Sequence, residues 1–193
     1  IILVACDKTI PAAGMALARM NIPGVVLYGG SIMPGNYKGK DLSVQDVFEA
    51  VGACAAGIID EAELKEIEKS VCPGAGACGG QFTANSMAMA MTFLGLSPMG
   101  ANDIPAINEN KNSSAYAAGQ TVVECVMENR LPRDMITQKS LKNAAIALSA
   151  TAASTNAILH LLAIASEAGV KDFDIDVFDE ISRSTPVIGD LKP

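Results

Sequence analysis

Two short stretches of the sequence gather residue types that can do chemistry. In Cys6-Asp7-Lys8 a soft thiol, a hard carboxylate and an amine stand on consecutive residues. Such a triplet makes a poor core but a workable site, because soft and hard donors select different metals, with Cys6 suited to iron and Asp7 to Mg2+. The plain alternative is an exposed Asp-Lys pair behind a buried cysteine. The second stretch, CPGAGACGGQF at 72–82, sets Cys72 and Cys78 around a run of glycines and alanines.

Several chemistries compete for that second stretch. GAGACG at 74–79 matches GxGxxG, the dinucleotide fingerprint, in which glycines let a pyrophosphate approach a helix N-terminus. The fingerprint must follow a strand directly, whereas the preceding DEAELKEIEKS is charged and helical in pattern. A phosphate-binding P-loop is excluded, because Gln81 and Phe82 follow Gly80 where Lys and Ser or Thr are needed. Structural zinc asks for four ligands, usually in paired Cys or His units, and the chain has no CxxC and a single histidine, His160, inside the apolar AILHLLAIA. A lone histidine on an apolar face reads as a core residue, so no metal is assigned to it. CxxC redox chemistry falls with the zinc. What remains is a thiolate in a Gly-rich loop at a helix start. Small neighbours leave room around Cys78, and the following helix N-terminus favours a negatively charged object such as an iron-sulfur cluster. From the residues alone, Cys78 is equally well a small buried side chain packed among glycines.

The elements around these stretches say how they are held. IILVAC at 1–6 and GVVLYG at 24–29 are short, β-branched, apolar runs flanking PAAGMALARMN, which has helical spacing and a leading proline. That is a βαβ unit, whose two strands should be parallel and buried. Ligands in such units gather at the carboxyl ends of strands, where Cys6-Asp7-Lys8 and Gly29-Gly30-Ser31 stand. GGSIMPGNYKGKD at 29–41 reads as a loop. Ser43 with Asp46, and the DEAE at 60–63, resemble capping boxes opening helices to about 57 and 70. Further helices are expected over 82–96, 111–129, 138–150, 154–168 and 175–183, with turns at NRLPRD, TAAST, EAGVKD and RSTP. Helix dominates from residue 41 onward, and the whole reads as one helix-rich α/β domain around a mainly parallel sheet.

Composition narrows the function. Of 193 residues, 50% are hydrophobic and 18% charged, enough to build a sizeable core. The net charge of −7, with Lys and Arg scattered, supplies no basic stripe for nucleic acid or an anionic membrane. No run of 18 or more apolar residues is present. Five cysteines (Cys6, Cys54, Cys72, Cys78, Cys125) are an odd number in largely apolar or helical settings, which suits a reducing compartment better than a disulfide framework. The chain opens on a strand already under way and stops just after an apolar stretch, so it is expected to be an internal piece of a longer protein.

Together these residues resemble the dihydroxy-acid and phosphogluconate dehydratase superfamily, over essentially the whole chain and in order. ACDKTIPA resembles the family's CDK..P signature, YGGSIMPGNYKGK its GG-x-x-x-PG loop, and CPGAGACGGQFTANSM its cluster-binding loop. NRLPRDMITQKSLKNA, STNAILHLLAIASEAG and the closing DLKP complete the match. The CPGAGACGG form and the STNA-x-LHLLAIA helix are most similar to members that make branched-chain amino acids (valine and isoleucine).

The resemblance implies a hydro-lyase that dehydrates a small dihydroxy acid to a 2-keto acid, working as a cytoplasmic homodimer, or in an organelle stroma or matrix if eukaryotic. It implies that Cys6 and Cys78 are two of three cysteine ligands to an iron-sulfur cluster, the third lying upstream of residue 1, and that Cys72 is structural. CPGAGACGG is closer to members with a 2Fe-2S cluster than to those with 4Fe-4S and CPTCGSCSG. Asp7 and a carbamylated Lys8 correspond to Mg2+ ligands, and burial of Lys8 would help the deprotonation that carbamylation requires. The remaining Mg2+ ligand and a serine base correspond to regions outside this chain. The sequence departs from the family pattern at Ala12, where glycine is frequent, and at Ala152-Ala153, where GGSTN is usual. The second departure removes glycines at a point of close backbone approach and leaves open a related sugar-acid substrate or an altered local geometry.

Overall fold

The computed structural model describes residues 1–191, so the last two residues of the closing DLKP lie outside it. The chain begins with the expected βαβ unit: β1 (Ile2–Val4), α1 (Thr9–Met20) and β2 (Val26–Tyr28). The strands pair in parallel, Ile2 opposite Val26 and Val4 opposite Tyr28. Every residue of β2 is buried, as the unbroken apolar run requires, but β1 is an edge whose Leu3 is 69% exposed. The expectation that both strands are buried therefore fails for β1, which has β2 on one side only among the described residues.

The segment read as a loop between 29 and 41 contains an antiparallel hairpin, β3 (Gly35–Tyr37) and β4 (Lys40–Leu42). Its two-residue turn places Lys38 at φ 52° and Gly39 at φ 79°, the left-handed pair that matches strand twist. The parallel sheet is thus real but small, and the hairpin is a separate sheet.

Helices form the rest: α2 (Val44–Ala55), α3 (Glu61–Ser70), α4 (Thr83–Phe93), α5 (Asn110–Met127), the one-turn α6 (Pro132–Met135), α7 (Gln138–Ala150), α8 (Asn156–Ala168) and α9 (Ile175–Ser184). The Ser43 and Asp46 capping box opens α2 as read, with the Ser43 amide donating to the Asp46 carboxylate at 2.7 Å. Asp60 caps α3 by accepting from the Glu63 amide at 2.8 Å. The NRLPRD turn is more than a connector. Its Arg133 guanidinium donates to the Ala18 carbonyl at 2.9 Å, placing a cation at the C-terminal end of α1.

The core sits around α4, where Ala84, Met87, Ala88, Ala90 and Met91 are all buried. A helix of small and flexible apolar residues can be surrounded: α7, α1 and α8 pack on it, and α9 packs behind α7. Tyr28, Ile10, Leu141, Leu161 and Ile164 close the same cluster. Nothing among the described helices is long and apolar enough to cross a membrane.

Candidate functional site

After β1 the chain turns through Ala5-Cys6-Asp7 into α1, with Lys8 at the helix N-cap position. The Thr9 hydroxyl fixes this turn, accepting from the Cys6 amide and donating to the Cys6 carbonyl, each at 3.1 Å. The Lys8 ammonium donates to Asp7 at 2.9 Å and the Cys6 thiol donates to the other carboxylate oxygen at 3.2 Å. These two donors hold the Asp7 carboxyl below the usual carboxylate range. Cys6 and Lys8 are exposed, so burial does not assist the deprotonation of Lys8 here, and the Asp7-Lys8 pair is the solvent-screened kind that opens cheaply.

The loop that carries Cys78 runs beside the continuation of β2. Ile32 donates to the Ala77 carbonyl at 2.7 Å and Ala77 donates to the Gly30 carbonyl at 2.9 Å, a parallel bridge of Ser31 with Ala77. Gly76 makes this approach possible. It stands at φ 145°, and a Cβ there would lie 2.3 Å from the Ile32 nitrogen. Gly76 therefore serves the loop's contact with the strand extension and not clearance around Cys78. The nucleotide reading fails on the same ground, since α3 precedes the loop and the space beside Gly76 is filled by backbone.

Bridging the loop to the continuation of β2 brings Cys78 within electrostatic range of the turn at the end of β1. Burial pushes the Cys78 thiol up, while the Ala84 backbone N–H in the first turn of α4 and its own N–H pull the other way. The charges of Cys6 and Asp7 push the thiol in the same direction as burial. Tyr28, at the end of β2, feels both cysteines, and with its burial this drives its hydroxyl far above the usual phenol range. Cys72 is exposed, so the structural packing role expected for it has no support.

A polar network braces the helix behind the loop. Thr83 and Ser154 share a hydroxyl hydrogen bond at 2.8 Å, Asn156 donates to the Thr83 hydroxyl at 3.0 Å, and the Ser154 amide donates to Ser86 at 3.0 Å. Ser86 is fully buried and donates to the Gln81 carbonyl at 2.9 Å. The STN segment thus ties the start of α8 to the start of α4. An apolar cavity of about 350 Å³ lies between α7, α8 and α9, lined by Leu148, Ala153, Ile158, Ile175 and Phe178, and it includes none of Cys6, Asp7 and Cys78.

His160, read from sequence as a satisfied core residue, is neither fully buried nor satisfied. Its Nε2 is buried without a partner, and the imidazole is held below its usual pKa by burial and by Lys8, with Asp7 opposing. Tyr28, Asn85 and His160 were all missed as site neighbours. A lone histidine inside STNAILHLL was the one visible signal.

Among the described residues, no group of three or more His, Cys, Asp or Glu side chains is gathered so as to hold a metal ion unaided. The donors present make a partial set: two thiols for a soft iron centre, and a carboxylate beside an amine for a hard cation. The orphan Nε2 of His160 in the field of the Asp7-Lys8 pair fits a site to which a further group is added.

Fold and site together define a class, an α/β domain with a thiol, a carboxylate and an amine at the carboxyl end of a parallel strand and a second thiol on a loop bridged to the continuation of its neighbour. A family described as the dihydroxy-acid/6-phosphogluconate dehydratase N-terminal domain matches residues 1–193, and the chain belongs to that family. It is 54% identical over 193 residues to a protein named dihydroxy-acid dehydratase from Roseiflexus sp. (strain RS-1), covering 100% of this chain and 34% of the relative. Proteins of the same name from Thermus thermophilus and Haloarcula marismortui are 54% and 50% identical, over 99% and 97% of this chain and 34% and 32% of theirs. The chain spans about a third of the length of these relatives.

Proposed function

We propose that the chain carries part of the active centre of a hydro-lyase that converts 2,3-dihydroxy carboxylic acids to 2-keto acids, in branched-chain amino-acid biosynthesis. Residues 1–193 act in this reading as one cluster-binding domain of a longer enzyme, a cytoplasmic homodimer. What supports it is the Cys6-Asp7-Lys8 turn at the end of β1 together with the Cys78 loop, which is bridged to the continuation of the neighbouring β2.

Removing water from such a substrate takes a proton from C2 and hydroxide from C3, leaving an enol that becomes the keto acid. Both steps are slow unaided, because the proton is weakly acidic and hydroxide leaves poorly. In this proposal Cys6 and Cys78 hold an iron-sulfur cluster, 2Fe-2S in preference to 4Fe-4S, and Asp7 with carbamylated Lys8 holds Mg2+. When bound, the two groups supply Lewis acidity toward the C3 hydroxyl and toward the carboxylate and C2 oxygen. The protein's own part is positional. Thr9 fixes the turn that presents Cys6 and Asp7, and the Ala84 N–H faces the Cys78 sulfur. Carbamylation of Lys8 replaces a cation by an anionic oxygen donor, and it frees Asp7 from the ammonium it now binds at 2.9 Å. His160 Nε2 has a hydrogen bond left to make.

A sugar-acid or phosphogluconate dehydratase is the second reading, favoured by Ala152 and Ala153 in place of the family's usual glycines. Turnover by the intact protein separates the two. Dehydration of 2,3-dihydroxyisovalerate in preference to gluconate or 6-phosphogluconate is expected, with loss of that activity in Cys78→Ser. Preference for a sugar acid would overturn the substrate assignment.

A further inference from the structure

Cys78 lies in a loop with Gly76, Gly79 and Gly80, the residues with the most backbone freedom to lose. A ligand on such a loop has to be held before it binds anything, or the ordering cost falls on the binding step. One side chain does this holding. The Asn85 carboxamide, one turn into α4, donates to the Cys78 carbonyl at 2.8 Å and to the Gly80 carbonyl at 2.6 Å. Its oxygen accepts from the Tyr28 hydroxyl at 2.7 Å. The orientation is forced, because two carbonyls can only accept and the phenol is left to donate. Both amide hydrogens are used, one on each side of Gly79. Tyr28 is 1% exposed at the end of β2, so the clamp runs from the sheet through α4 to the loop.

We infer that Asn85 is a positioning residue for Cys78, oriented by Tyr28, and that this clamp pre-forms the cysteine's seat. Resting on the reading of Cys78 as a cluster ligand, the inference adds what aims that ligand. Gly79 lies between two pinned peptide planes, so the Cys78 sulfur keeps its direction toward the first turn of α4. Asn85→Asp keeps the size and loses both donors, turning a carboxylate oxygen on two carbonyls. Tyr28→Phe leaves the donors in place and releases only their orientation.

The test is alkylation of the intact, metal-free protein by iodoacetamide, read at each cysteine by peptide mass spectrometry. In Asn85→Asp, Cys78 should react about tenfold faster than in the parent protein when each rate is referred to its thiolate fraction, with Cys54 and Cys125 unchanged. Tyr28→Phe should give a smaller rise, again confined to Cys78. In the iron-loaded protein, both variants should lose visible absorbance to a chelator faster than the parent, in the same order. A parent-like Cys78 rate in Tyr28→Phe, or a rise shared by all cysteines in that variant, would overturn the inference. Should Asn85→Asp fail to fold, Tyr28→Phe alone decides. If Cys78→Ser retains its iron, the ligand reading fails instead, and the metal-free alkylation result still stands or falls separately.

Discussion

Ala152 sits at φ 47°, in the left-handed region that costs an L-residue about 1–2 kcal/mol and glycine nothing. Ala152→Gly should therefore stabilise the fold by about 0.5–1 kcal/mol after glycine's own entropy loss, seen as a higher urea midpoint; an unchanged or lower midpoint would show that the turn carries no strain. Cys78 has a complementary signature. Because burial outweighs the pull of the Ala84 N–H, its thiol stays protonated to higher pH than a free cysteine. In the metal-free protein its alkylation should rise only above the ordinary thiol range, and a half-maximal pH below that range would contradict the burial argument. At this scale the types and setting of Cys6, Asp7, Lys8 and Cys78 single them out as candidates, and their ligand roles come only from the family resemblance. Tyr28, Asn85 and His160 were not legible, because their roles arise from meetings between residues far apart in sequence, such as Tyr28 with Asn85.

Among the elements, the Cys78 loop depends on Gly76 more than on any helix cap. Gly76→Ala would drive a Cβ to 2.3 Å from the Ile32 nitrogen, and the bridge between Ser31 and Ala77 would have to part. A loss of about 2–4 kcal/mol is expected, measured by denaturant unfolding, with faster exchange of the Ala77 amide; a neutral substitution would mean that the loop does not need this approach. The helices were readable, because apolar spacing and caps such as Ser43 with Asp46 are local signals. The hairpin in GNYKGKDL was missed, because each strand is only three residues long and Pro and Gly around it mimic a loop. Its Lys38-Gly39 turn was the available clue. The edge position of β1 could not be read from an apolar run, because Ile-Leu-Val looks the same on an edge and in the middle of a sheet.

For the whole molecule, the βαβ unit and the bridged loop present two thiols and one carboxylate on neighbouring segments, and among the described residues no complete metal-holding group forms. Expressed alone, the 193-residue chain should not dehydrate 2,3-dihydroxyisovalerate. Turnover by it would mean that the donors present suffice. Calorimetry of the intact protein should likewise detect no tight binding of NAD(P)H or FAD, which a working GAGACG fingerprint would require. The most direct measurement is iron and acid-labile sulfide analysis with EPR on the intact protein, prepared anaerobically, beside its Cys78→Ser variant. The expected result is iron and sulfide in equal amounts with a 2Fe-2S signal on reduction, lost in Cys78→Ser. Iron, sulfide and signal unchanged in that variant would contradict Cys78 as a cluster ligand, and with it the proposed site.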